Sequence, residues 1–113
     1  MKSYFSDDEL KCRCCGKLII DEEFREQLNL ARGIAGFPFI VDSGYRCEKH
    51  NTDVGSTSTN HTSGKAADIA CDNANLKYDM VKALIRAGLK GIGIAKTFVH
   101  CDTNRIIPSI WIY

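Results

Sequence analysis

The chain has no apolar run approaching the ~18 residues that a membrane-spanning helix needs, so no span is expected. Its first ten residues, MKSYFSDDEL, hold one lysine and no apolar h-region, so they do not read as a signal peptide. Synthesis in the cytoplasm without a secretion signal is the expectation. Neither sign of charge is in excess, with 15 Lys+Arg against 14 Asp+Glu. That excludes an electrostatic footprint for nucleic acid or an anionic membrane. There is no internal repeat and no low-complexity segment. What remains, 113 residues of which 44% are hydrophobic, suits a single domain over 1–113 with one modest core, read as a monomer.

Local signals divide the chain. Ser6 and Glu9 have the spacing of a capping box and predict a short helical turn. Asp21 can cap a longer helix with Phe24, Leu28, Ala31 and Ala35 on one face, ended by Gly36 and Pro38. PFIVDSGYR (38–46) reads as a strand entering a loop, and 47–64 as an ordered loop or short turns. KAADIAC (65–71) reads as a strand. Asn75 is expected to cap a second helix with Leu76, Met80, Val81, Leu84 and Ile85 on one face and Gly88 at its end. GIGIA (91–95), FVHCD (98–102) and IWIY (110–113) then form a β meander. The expected fold is α+β, a small and mainly antiparallel sheet flanked by helices.

Histidine is scarce: three residues, His50, His61 and His100. His61 lies in TNHTSGKAADI (59–69), where Gly64 permits a sharp reversal and Asp68 follows on the strand. In FVHCD, alternation puts Phe98, His100 and Asp102 on one face and Val99 and Cys101 on the other. Adjacent strands could aim Asp68 and His100 at one point, with His61 reaching over the edge. Such a set could hold a catalytic zinc, which takes three protein ligands and keeps one open position. A hydrogen-bonded His–Asp pair is the plainer reading.

HTSGKAAD fits H-x-x-G-x-A-x-D, with SGYR and His50-Asn51 upstream and GIGI before FVHCD downstream. This ordered set resembles the zinc peptidases that cut peptidoglycan stem peptides, the D-Ala-D-Ala carboxypeptidases and L-Ala-D-Glu endolysins, which share the fold of the hedgehog signalling domain. The likeness runs from about Phe5 to Trp111 and is nearest to short, single-domain phage and prophage versions. It implies Zn2+ as cofactor, with His61, Asp68 and His100 as ligands. It also implies that Arg46 faces the substrate, pairing with its carboxylate or with the developing oxyanion. Thr59 stands where relatives usually carry Ser and keeps the hydroxyl, so it is read with Arg46 as contacting substrate. Several relatives place an acid three residues before the last histidine; here that residue is Thr97. Asp102 is the nearest acid on the correct strand face, either as general base or as a carboxylate orienting His100.

His50 and Tyr45 read as structural, and Trp111 and Tyr113 as packing or sheet edge. Of six cysteines, Cys101 and Cys71 read as core. The resemblance implies that Cys47 packs against Cys12, Cys14 or Cys15. Reduced thiols, a disulfide formed in an oxidising envelope and a thiolate zinc site are all open. Two functions follow as expectations. One is a peptidase acting on peptidoglycan peptides, as a carboxypeptidase or a murein endopeptidase, that meets the wall after release from a cytoplasm. The other is a catalytically silent, zinc-stabilised binding or phage structural module.

Overall fold

A computed structural model describes residues 3–56 and 59–113. The elements run α1 (Asp7–Leu10), α2 (Glu22–Ala35), β1 (Val41–Ser43), α3 (Glu48–Asp53), β2 (Ala66–Ala70), α4 (Ala74–Ala87), β3 (Gly91–Ile94), β4 (Phe98–Asp102) and β5 (Ser109–Ile112). The strands form one sheet in the order β1-β2-β4-β3-β5. The first three pairings are antiparallel and β5 runs parallel to β3. The α+β expectation is met. Among the described residues no helix is long and apolar enough to cross a membrane.

The helix signals act as their chemistry predicts. Ser6 Oγ accepts from the Glu9 amide while Glu9 reaches back to the Ser6 amide, which completes the capping box. Asp21 accepts the Phe24 amide at 3.0 Å, and Gly36 ends α2 in the left-handed conformation. Phe24, Leu28 and Ala31 are fully buried. Burial of a large apolar side chain of this kind stabilises by about 1.5–3 kcal/mol.

Five expectations need correction. Asn73, not Asn75, caps α4, its Oδ1 accepting the amides of Asn75 and Leu76. The buried stripe of α4 is Met80, Ala83, Leu84 and Ala87, while Leu76 and Ile85 are 42% and 50% exposed. α4 packs on α2, and alanines let two helices approach closely, so small residues rather than the largest ones define the buried face. The strand expected over 38–46 is confined to Val41–Ser43. Residues 47–64 contain α3, whose His, Asn, Thr and Asp are weak helix formers and gave no signal. Finally, 91–113 is no meander. β4 already has β2 on one side and β3 on the other, so β5 cannot pair with it and joins instead at the free edge of β3.

The sheet separates core from chemistry. Ala67, Ile69, Ile92, Val99 and Cys101 join Phe24, Leu28, Met80 and Leu84 in one cluster on the helix side. On the other face, register aligns one residue per strand in a row, Ser43–Asp68–His100–Gly93–Trp111. A period of two makes this unavoidable once His100 faces away from the helices.

Candidate metal centre

Within that row Asp68 and His100 are direct cross-strand partners, which places their side chains side by side. His61 is added by the turn before β2. Gly64, at φ +72°, closes that turn, and its amide donates to the His61 carbonyl at 3.3 Å. His61 Nε2 then lies 3.4 Å from Asp68 Oδ1, and His100 Nδ1 lies 2.9 Å from the same oxygen. The three side chains form a group able to hold a metal ion, their donor atoms all within 4.8 Å of one another.

The remote nitrogen of each imidazole is also engaged. His61 Nδ1 is 2.8 Å from the Gly44 carbonyl. A carbonyl can only accept, so Nδ1 carries a proton, and Nε2 is the nitrogen turned to Asp68. His100 Nε2 is 2.7 Å from Asp102 Oδ2. Outer partners of this kind orient metal-binding imidazoles and fix their tautomer, so two histidines and a carboxylate with these supports fit a zinc ion.

Asp102 is fully buried and crowded with donors. Besides His100, it accepts from Asn60 Nδ2, the Asn104 amide and Arg105 Nε. Burial pushes its carboxyl up, but the hydrogen bond and charge of His100, followed by Arg105, hold it below the ordinary carboxylate value. Arg46 Nη2 touches the other oxygen of Asp68 at 3.4 Å, while Nε donates to Ser43 Oγ and Nη1 to Asn51 Oδ1. Thr59 is exposed at the start of the turn, its carbonyl accepting the Ser63 amide. Thr97 is exposed just before β4.

Sequence reasoning missed Trp111 and the two glycines of GIGI. A Cβ on Gly93 would lie 2.7 Å from Trp111 Nε1, and one on Gly91 would lie 2.4 Å from both carboxylate oxygens of Asp102. These positions are empty so that Trp111 can lean over β3 to His100, with ring centroids 5.4 Å apart, and so that Asp102 can fold under it. Arg105 stacks on the Trp111 ring at 4.1 Å. The signal was present in alternation, which puts Gly91 and Gly93 on the face of His100 and Asp102. An apolar groove of about 560 Å3 runs along α4 past Tyr78 and Ile85, but it shares no residue with this cluster and has no reactive group to offer it.

The electrostatics describe a site waiting for a cation. Burial pushes Asp68 up, but hydrogen bonds from His100 and His61 outweigh it and hold the carboxyl well below the usual range. Burial pushes His100 down, but its bonds to Asp102 and Asp68 raise it above its ordinary 6.5. In the metal-free protein a proton on Nδ1 therefore fills the gap between His100 and Asp68. A raised histidine contributes stability that is complete below its unfolded value and is lost as pH rises through the folded value. Asp68 contributes above 3.8 and loses that contribution only in strong acid. We therefore expect the chelated wild type to lose its stability advantage over His100→Gln as pH rises from the ordinary 6.5 through the raised value of His100, and zinc affinity to rise over the same interval as the proton leaves. Denaturant midpoints of the two chelated proteins check this; an advantage that grows with pH would refute it.

A second cluster lies at the other end of SGYR. Cys47 Sγ is 3.6 Å from Cys12 Sγ, and Cys12, Cys15 and Cys47 form another group able to hold a metal ion. This agrees with the expected packing of Cys47 on the N-terminal cysteines. Burial pushes the Cys12 thiol up, but backbone amides of Cys47, Cys15 and Cys14 bring it down to about 6. Cys71 and Cys101 are buried, as expected. Burial pushes the Cys101 thiol far up, so it stays protonated.

A search among curated proteins finds no match to the chain. The family model for Peptidase M15 matches residues 3–102, a span that takes in both cysteine- and histidine-bearing segments from Cys12 to Asp102. With that match over most of its length, the chain belongs to the Peptidase M15 family.

Proposed function

We propose that this protein is a zinc-dependent peptidase that hydrolyses peptidoglycan stem or cross-bridge peptides, as a D-Ala-D-Ala carboxypeptidase or a murein endopeptidase. The observation that carries the reading is the convergence of His61, Asp68 and His100 with both imidazoles fixed from behind. Family membership supports peptidase activity, and the likeness of HTSGKAAD, SGYR and FVHCD to wall-cutting enzymes supports the substrate. The same likeness supports action at the wall after release, by a monomer encoded in a phage or prophage.

The ligands in this reading are His61 Nε2, Asp68 Oδ1 and His100 Nδ1. A zinc ion held there supplies Lewis acidity, polarising the scissile carbonyl and acidifying a water molecule. Arg46, with its fork of permanent charge, pairs with the substrate carboxylate or stabilises the oxyanion as it develops. Thr59 offers its hydroxyl to the peptide. Asp102 is a positioning residue: fully buried and accepting from four donors, three of them on Oδ2, it holds His100 by Nε2 and is closed to solvent. The Trp111 ring covers one face of His100 and keeps water from it.

One observation favours the second reading, a silent zinc-stabilised binding module. Thr97 is exposed where an acid is expected, and Asp102 is too enclosed to replace it. Digestion separates the two. Purified peptidoglycan and synthetic stem peptides are incubated with the zinc-loaded protein and analysed by mass spectrometry. Cleavage that stops on chelation and returns with zinc is expected, and the product masses identify the bond. Zinc-loaded protein that sediments with peptidoglycan and cuts nothing would leave the binding module.

A further inference from the structure

We propose that Cys12, Cys15 and Cys47 form a second, structural zinc site that staples the N-terminal segment to the loop carrying Arg46. It is independent of the histidine site.

The segment Cys12-Arg13-Cys14-Cys15-Gly16 is a C-x-x-C turn closed by glycine. Gly16 is left-handed, at φ +73°, and its amide donates to the Cys12 carbonyl at 2.9 Å. This wraps the chain so that two cysteines at the ligand spacing of structural zinc sites face the same way. The backbone amides of Cys14 and Cys15 turn towards the Cys12 sulfur. From across the domain the Cys47 amide donates to the Cys12 sulfur at 3.4 Å, and the His50 amide donates to the Cys47 sulfur at 3.4 Å. Amide donors aimed at sulfur stabilise thiolate, the form that binds metal.

Spacing agrees with one shared ion. Sulfurs each about 2.3 Å from a tetrahedral zinc are about 3.8 Å apart, and Cys12 and Cys47 are 3.6 Å apart. The Cys15 sulfur lies within 4.8 Å of those of Cys12 and Cys47. Lys49 lies close enough to Cys14 to offset negative charge.

The position explains what the site is for. Residues 11–20 contain no helix or strand, yet they back the histidine centre. The Tyr45 amide donates to the Leu10 carbonyl at 2.8 Å, and Arg13 reaches the Val41 carbonyl at 2.9 Å. Gly44 is pressed so flat on Leu10 that a Cβ would lie 2.5 Å from the Leu10 oxygen. The Gly44 carbonyl is the one that orients His61. An ion joining Cys12 and Cys15 to Cys47 fixes that contact and, with it, the start of α3 beside Arg46.

The test is elemental analysis of protein purified under reducing conditions without chelator. About two zinc ions per chain are expected in the wild type and about one in each of His61→Ala, Cys12→Ser and Cys15→Ser. With cobalt in place of zinc, a thiolate charge-transfer band in the near ultraviolet should persist in His61→Ala and vanish in Cys12→Ser. Should the cysteine variants fail to fold, alkylation of the native wild type decides: Cys12, Cys15 and Cys47 resist modification until a chelator is added. About one zinc in both wild type and Cys12→Ser, equal reactivity of these thiols with and without chelator, or a Cys12–Cys47 disulfide in protein never exposed to oxidant overturns the proposal.

Discussion

His61→Ala should leave a folded protein whose peptide hydrolysis falls by roughly a thousandfold or more and whose histidine site no longer retains zinc. A metal acting as Lewis acid contributes several kcal/mol to the transition state, and each ~1.4 kcal/mol is tenfold in rate. The structural cost is small by comparison. The variant loses the hydrogen bond to the Gly44 carbonyl, about 1 kcal/mol, and the contacts with Asp68 and His100, but no core contact on the helix side. Asp102→Asn is the informative companion. As a positioning residue, its loss should weaken zinc affinity about 10–100-fold, and activity should return at saturating zinc. A general base would instead give full zinc content, a collapsed kcat and loss of one limb of the pH profile. Zinc content and kcat measured together across a zinc titration separate the two.

Gly64→Ala is expected to destabilise the fold by about 3 kcal/mol or more. At φ +72° an alanine costs about 1–2 kcal/mol in conformation alone. Its Cβ would also lie 2.4 Å from the Ile19 carbonyl oxygen and 2.8 Å from Ile20 Cα. Both are backbone atoms, so no rotamer change relieves the contact. The Asp21 amide, bonded to the Gly64 carbonyl at 3.0 Å, would be displaced with them, loosening the start of α2. Gly55→Ala supplies the control. It has φ +79° but meets nothing within 4 Å, so it carries only the conformational cost. Thermal unfolding should place Gly64→Ala roughly ten degrees or more below wild type and Gly55→Ala much nearer. Equal losses would show that the close approach to Ile19 and Ile20 contributes nothing.

How much of this was legible depends on the range of the interaction. Alternation in FVHCD and the bend at Gly64 are local and allowed a group of His61, Asp68 and His100, but it was the resemblance carried by HTSGKAAD and FVHCD that named them as a ligand set. The cross-strand register Asp68↔His100 is not written in either strand, but burying Val99 and Cys101 leaves no other face for His100. The cap of α4 was misplaced by two residues because Asn73 and Asn75 carry the same local signal, and only backbone geometry chooses between them. Its buried stripe was misread because hydrophobicity ranks Leu76 and Ile85 above Ala83 and Ala87, whereas close helix packing favours the small residues. The parallel return of β5, the lean of Trp111 over Gly93 and the grip of Arg46 on Asp68 all depend on which strands are neighbours. The Cys12-x-x-Cys15-Gly16 turn was local, yet it was hidden by the adjacent Cys14.

The three proposed ligands differ in what holds them. Asp68 and His100 are fastened to neighbouring strands of a sheet whose far face is the core, so their separation can change only if the ladder opens. His61 hangs from a short turn with no ladder of its own, held by Gly64 and by one carbonyl from the SGYR loop. Local openings of that kind need far less free energy than global unfolding. An ion held at this centre would therefore leave by a swing of the turn, with the sheet intact. Its residence time is set by how firmly Gly44 and Gly64 are pressed against the N-terminal segment, and a protein of high melting temperature could still exchange its metal quickly.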